Sequence, residues 1–261
     1  MKNNTLSIML AALFAGASAS AMAWTINGSG ATVDFSGTLS QRVTNTPWEV
    51  KMGAPIVLNG EIAPGSRTAT LTVTKPVLMI GIRSDKTKYD DAQGFKGRPG
   101  IIPQIDFGGK LDVDSFVGSV AKLTLDVMDE SNTIQIGKMT ASVLSAGEST
   151  TNVDGDINRN ALIAKSVGDG FWGAVPKQAE KTIILPRIRM TAIDNELTST
   201  APSGGGQGTP SVEKFDNPAL RYSAFYGAGL EMGSEVLLSL NTTPVADLKW
   251  KSSLPVTISY M

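Results

Sequence analysis

The stretch TATLTVT at residues 68–74 places Ala69, Leu71 and Val73 on one side of an extended chain and four threonines on the other. An alternation with a period of two is typical of a β-strand that buries one face. The same pattern predicts further strands, which we place at residues 33–39, 76–83, 122–127, 134–143, 220–226, 235–240 and 254–260. Turn pairs such as Asn59-Gly60 and Pro64-Gly65 separate them at intervals typical of a β-sandwich. The sequence therefore predicts an all-β fold.

Residues 146–218 break this alternation. Asp156–Val167 is predicted to form a short helix, and Lys181–Leu197 has mostly helical spacing that Pro186 interrupts. The glycine-rich residues 198–211 are predicted to form a loop. We interpret 146–218 as a partly helical insertion in a sandwich domain that spans residues 47–261.

The first 23 residues have the features of a secretory signal peptide. Lys2 supplies a positive charge, residues 6–17 are apolar or small, and Ala21-Met22-Ala23 is a cleavage signal of the A-x-A type. We predict that residues 1–23 are removed and that the exported chain begins at Trp24.

Composition limits the kinds of catalytic group, metal site and binding partner that the chain can have. The chain contains no Cys and no His, which excludes thiol catalysis, His-based triads and the commonest zinc sites. Its formal net charge of −1 gives no electrostatic basis for binding nucleic acid. Asp154-Gly155-Asp156 resembles the start of a calcium loop, but Arg159 and Lys165 occupy positions where that loop needs Gly and Glu. We expect no cofactor, no metal site and no enzymatic activity.

The two ends of the chain carry the functional signal. Val33, Phe35 and Leu39 form one apolar face near the start of the exported chain, and such an edge strand favours pairing with another sheet. Val256, Ile258 and Tyr260 alternate with polar residues near Met261, where a strand is available for pairing with another chain. The pattern alone also fits ordinary first and last strands of one domain.

These ends resemble the K88-like (kappa-class) subunits of chaperone-usher fimbriae. The similarity lies in Trp24, Asn27–Ser29, Val33–Leu39, Trp48–Gly53, Leu248–Trp250 and Leu254–Tyr260, with weaker matches at Gly170–Gly173 and Tyr226–Gly229. The resemblance implies an immunoglobulin-like sandwich that lacks its last strand and leaves a hydrophobic groove. It implies that a periplasmic chaperone fills this groove until the N-terminal extension of a neighbouring subunit replaces it during assembly at an outer-membrane usher.

Carried over to this chain, the resemblance makes residues 24–46 a donor-strand extension. Val33, Phe35 and Leu39 become the residues that fill a neighbour's groove, and Val256, Ile258 and Tyr260 lie on the strand that borders the chain's own groove. The implied location is a fimbria on the cell surface. Some members of the family bind host glycans, so an adhesive role stays open beside a structural one.

The best local candidate for a glycan contact is Phe171-Trp172, because aromatic rings between glycines can stack on a sugar ring. A role for both rings in the protein core is the alternative. Two other classes also remain at this point: an outer-membrane β-barrel, which requires longer strands with aromatic girdles, and a secreted carbohydrate-active enzyme.

Overall fold

The computed structural model describes residues 45–85, 94–202 and 204–261. The predicted signal peptide and the residues Val33, Phe35 and Leu39 lie outside these ranges. The strands, numbered in chain order, are β1 (Trp48–Met52), β2 (Thr68–Thr72), β3 (Val77–Ser84), β4 (Phe95–Lys96), β5 (Pro103–Asp106), β6 (Leu111–Val117), β7 (Val120–Asp129), β8 (Gln135–Val153), β9 (Asp156–Ala161), β10 (Gly206–Gln207), β11 (Arg221–Leu230), β12 (Glu235–Leu240), β13 (Trp250–Lys251) and β14 (Thr257–Tyr260). One helix, α1 (Pro186–Ile193), and one 3₁₀ turn, Ala179–Lys181, complete the described elements.

The 19-residue strand β8 connects two groups of strands. Its first part, up to Val143, pairs with β7 and β12, and β2 pairs with the outer side of β12. Its second part, from Leu144 onward, pairs with β11 and β9, and β3 and β1 follow on the other side of β11. β5 and β14 form a separate antiparallel pair. This confirms the predicted all-β, immunoglobulin-like fold.

The main core is the apolar cluster enclosed by the two groups of strands. It includes Ile80 and Tyr226 from one group and Leu123, Met139 and Val236 from the other, all buried. The alternation seen in the sequence accounts for it, because Leu123, Leu125 and Val127 all point inward from β7.

A second, smaller core lies under α1, on the outer face of the β3–β11–β8 group. Met190 and Leu197 are buried there against Phe225 and Leu144. A Cβ atom at Gly227 would lie 2.5 Å from Leu197 and 2.8 Å from Met190. The glycine therefore allows this outer layer to pack directly on the sheet.

Two details of the predicted insertion differ in the structure. Residues 146–153 continue β8 without a break, so strand pairing extends into the segment assigned to the insertion. The predicted helix at Asp156–Val167 is wrong, because residues 156–161 form β9 in a hairpin with β8. Asp154 and Gly155 both have positive φ angles, 51° and 100°, as a two-residue hairpin turn of this type requires.

Pro186 also acts differently from the prediction. It is the first residue of α1 rather than an interruption within a helix, and proline is well suited to this position because the first N–H groups of a helix have no partner within it. Among the described residues, no helix is long and apolar enough to cross a membrane.

Candidate functional site: an apolar groove

An apolar groove opens the main core to solvent along one side. It has a volume of about 730 Å³, and buried side chains of the central strands, Leu123, Leu125, Met139 and Leu230, line it. Two extended segments bound it: residues 52–59 on one side and residues 248–256 on the other. A volume of this size also occurs in small-ligand pockets, but here two long segments of chain supply most of the lining.

Both walls expose apolar side chains. Met52 and Val57 on the first wall are 57 and 79 % exposed, and Leu248 on the second is 43 % exposed. A contiguous exposed apolar surface of this kind marks a site of interaction. Met52 and Leu248 lie in stretches that carry the family resemblance, but the alternation pattern did not single out Val57, because residues 54–58 do not alternate with polar side chains.

The second wall leads into β14, which among the described strands is paired along one edge only. Met261 and Ile102 exchange both backbone hydrogen bonds, each 3.1 Å long. In an antiparallel pair every second residue is hydrogen-bonded to the partner strand. Counting back from Met261, the backbone groups of Ser259 and Thr257 therefore bond to β5. The backbone groups of Ile258 and Tyr260 point to the opposite side. Within the described ranges, β5 is the one strand that pairs with β14.

Val256, Ile258 and Tyr260 share one orientation. Their side chains are half-buried and pack against the main core, whereas Thr257 and Ser259 are exposed. Burial raises the pKa of the Tyr260 hydroxyl, and a hydrogen bond with Thr46 acts in the opposite direction. Val256 itself lines the groove.

The chain enters the domain beside the end of β14. Trp48 donates its indole N–H to the Ile101 carbonyl at 2.6 Å, and Arg98 donates to the Asn45 carbonyl. Thr46 bonds to Tyr260, and the Pro47 carbonyl accepts from the Asp85 N–H at 2.7 Å. Residues 45–48 are therefore fixed next to the segment that pairs with Met261.

The structure separates the two candidate glycan contacts. Phe171 is completely buried, with ring centroids 5.3 Å from Tyr226 and 5.6 Å from Trp48, so neither face of its ring is available to a sugar. Trp172 is half-buried, and the Lys177 ammonium lies 5.8 Å from the centre of its ring. A glycan contact at Trp172 stays a prediction.

Phe171-Trp172 has a structural role that the sequence did not indicate. The Phe171 N–H donates to Pro103 and the Ile105 N–H donates to Trp172, at 2.7 and 2.9 Å, so this segment pairs with the edge of β5 opposite β14. The two residues thus support the strand on which β14 rests.

A buried ion pair holds the outer layer. Arg187 of α1 donates to Glu148 of β8 at 2.6 Å, and Glu148 is completely buried. Arg187 also donates to the carbonyls of Ala201 and Pro202. Its guanidinium lies 5.5 Å from the centre of the Phe225 ring. This pair is distant in sequence, by 39 residues, which is why no local pattern revealed it.

In the described part of the chain, no group of three acidic, His or Cys side chains is arranged to hold a metal ion. In comparisons with known proteins, the sequence model of the K88 fimbrial family, described as "Fimbrial, major and minor subunit", matches residues 1–261. No curated protein matches the chain.

Proposed function

The chain belongs to the K88 family of fimbrial major and minor subunits, and from this premise we propose that it polymerises by strand donation. The family is one of structural subunits, which places the protein in a cell-surface fimbria with other subunits as its partners. In the proposal, residues 31–40 of one subunit fill the groove of the next. The observation that carries it is the apolar groove between residues 52–59 and 248–256.

The groove has the properties that a strand acceptor requires. Its lining includes Leu123, Leu125 and Met139 of the main core, so a strand laid in the groove would pack directly on that core. The free edge that leads from it, β14, supplies backbone donors and acceptors for an added strand. An apolar strand with alternating large side chains satisfies both requirements.

Residues 31–40 have such a sequence. Val33, Phe35 and Leu39 lie on one side of an extended chain, and burial of each is worth about 1.5 to 3 kcal/mol. The summed free energy for the three side chains is a large part of the roughly 5 to 15 kcal/mol that stabilises a typical domain. The free subunit is therefore marginally stable and requires a partner strand.

This requirement extends the proposal to the assembly route. An exported subunit with an unfilled groove would aggregate, so a periplasmic chaperone supplies a temporary strand along β14, and an outer-membrane usher is the place of exchange. The signal peptide at residues 1–23 is the proposed export signal.

The experiment moves residues 28–40 from the N-terminus to a flexible linker after Met261. The moved segment should fill the subunit's own groove, giving a monomer that does not polymerise and has a melting temperature at least 10 °C above that of the chain without the segment. The matched control is Phe35→Asp in the moved segment, which would bury an unpaired carboxylate and abolish the gain. Equal melting temperatures with and without the segment would reject strand donation.

A further inference from the structure

The described ranges contain three pairs in which a glycine directly follows Asn or Asp: Asn59-Gly60, Asp154-Gly155 and Asp169-Gly170. Such a pair is chemically labile, because a glycine without a Cβ atom lets its backbone nitrogen reach the side-chain carbonyl carbon of the residue before it. The reaction requires a nitrogen that is free of hydrogen bonds and a backbone that can bend locally. The surroundings of each pair therefore decide whether it reacts.

The fold holds both Asp-Gly pairs. The Gly155 N–H donates to the Asn152 side chain at 3.0 Å in the turn between β8 and β9. The Gly170 N–H donates to the Glu213 carbonyl at 2.7 Å. Asp169 is also buried, and its carboxylate accepts two backbone N–H groups. In both pairs a hydrogen bond would have to break before the glycine nitrogen could attack.

The Asn59-Gly60 pair lacks this kind of restraint. Among the described residues, no hydrogen bond involves the Asn59 side chain or the Gly60 N–H. Both residues are exposed, and residues 53–63 form no helix, strand or turn. Residues 53–58, just before the pair, line both the groove and a second cavity of about 450 Å³. The backbone here can therefore bend at the loss of few contacts.

We propose that Asn59 is a site of spontaneous deamidation in the folded subunit. The Gly60 nitrogen loses its proton and attacks the side-chain carbonyl carbon of Asn59. A C–N bond forms, the bond to the side-chain amide nitrogen breaks, and ammonia leaves with the proton. Water then opens the five-membered succinimide at either of its carbonyl carbons. One opening gives an aspartate, and the other gives an isoaspartate, in which the main chain runs through the side-chain carbon.

Either product changes the wall of the groove, because Asn59 lines it. The new carboxyl group is ionised at neutral pH, since an ordinary Asp has a pKa of about 3.9. One negative charge is thus added to a chain whose formal net charge is −1. The isoaspartate also lengthens the main chain by one carbon at this point. Neither product requires strand donation, so the site can be tested on the free subunit.

Peptide mapping of the full chain during incubation at pH 8 and 37 °C tests the proposal. Trypsin releases residues 52–67, in which Asn59 is the one Asn, so the mass gain of amide-to-carboxyl conversion has a single assignment. A sample digested before incubation gives the baseline. We expect a rate within about tenfold of that in a free synthetic peptide of residues 52–67.

Asn59→Gln should abolish the reaction in this peptide, because glutamine would have to form a six-membered ring. A rate in the folded chain more than about tenfold below that of the free peptide would show that the fold protects the pair, and would overturn the proposal.

Asp154→Asn provides a matched control within the same molecule. It places the same dipeptide in the turn between β8 and β9, where the Gly155 N–H is already bonded, and Asn is as well suited as Asp to a turn of this type. We expect deamidation at position 154 to be at least tenfold slower than at Asn59. Equal rates at the two positions would overturn the claim that the lack of contacts selects Asn59.

Discussion

The aromatic cluster around Phe171 and the groove beside Val256 belong to the same core, yet one is sealed and the other is open. Trp48, Phe171, Phe215 and Tyr226 interlock edge to face or stacked, with centroids 5.1 to 5.6 Å apart for Trp48 and its neighbours, and all four are buried. Val256, Ile258 and Tyr260 have equally apolar side chains that are only half-buried. The difference therefore lies in what packs on these side chains among the described residues rather than in residue type, and the proposed donated strand would cover the second group.

The largest expected effect comes from opening the sealed region. Phe171→Ala removes a completely buried ring and should lower the free energy of unfolding by about 3 to 5 kcal/mol, measured by denaturant unfolding of the full chain. The matched change Trp172→Ala removes a half-buried ring and should cost about 1 kcal/mol. Similar losses for both variants would contradict the placement of Phe171 in the core.

A smaller loss of stability is expected from a substitution in the groove, and its size should depend on whether the groove is empty or filled. Val256→Ser should destabilise the unmodified chain by about 1 kcal/mol, because the side chain is already half-exposed. In the variant with residues 28–40 after Met261, the same change should cost about 2 to 3 kcal/mol, since the side chain is then covered.

Thr257→Ser, at an exposed position on the same strand, is the control and should change neither background. Equal losses from Val256→Ser in both backgrounds would show that the moved segment does not cover this wall.

The sealed region should also lose stability in alkali. Burial raises the pKa of Tyr222 to about 12 and that of Tyr226 still further. The unfolded chain therefore loses these protons first, from about pH 10, so the free energy of unfolding falls as the pH rises toward 12. The slope is at most about 1.4 kcal/mol per pH unit for each tyrosine.

Urea unfolding at pH 9, 10 and 11 measures this slope, and Tyr226→Phe should reduce it. Tyr226→Phe will also lower stability at neutral pH, because the hydroxyl bonds to Ser145 at 2.8 Å. A slope that is identical in Tyr226→Phe and the unmodified chain would contradict the assignment.

Local patterns predicted much of the fold because each strand carries its own alternation. The predicted strand at 68–74 contains β2, that at 220–226 differs from the start of β11 by one residue, and that at 235–240 coincides with β12. The predicted helix at residues 156–167 is wrong for a local reason, since Asp154-Gly155 is a strong signal for a two-residue hairpin and therefore favours a strand after it.

Other features could not be predicted, because they depend on contacts between distant segments. Whether Phe171 is buried or exposed is decided by Trp48 and Tyr226, far away in the sequence. Residues 52–59 are recognisable as part of a groove only once residues 248–256 are known to line the same cavity. The family resemblance identified the two ends of the chain as important, and the structure showed that residues 52–59 also line the groove.

The attachment of residues 45–48 beside β14 has a consequence for growth. Residues 45–48, which follow the proposed donor segment in the sequence, lie beside β14, and residues 52–59 and 248–256 line the groove. In the proposed assembly, donor and acceptor would be different parts of one molecule, and a contact between unlike surfaces is heterologous. If strands are donated, repeated contacts of this kind do not close on themselves unless the rotation happens to complete a ring. Every added subunit would then present the same unmet surface as the one before it, so the fold itself sets no final length for the filament.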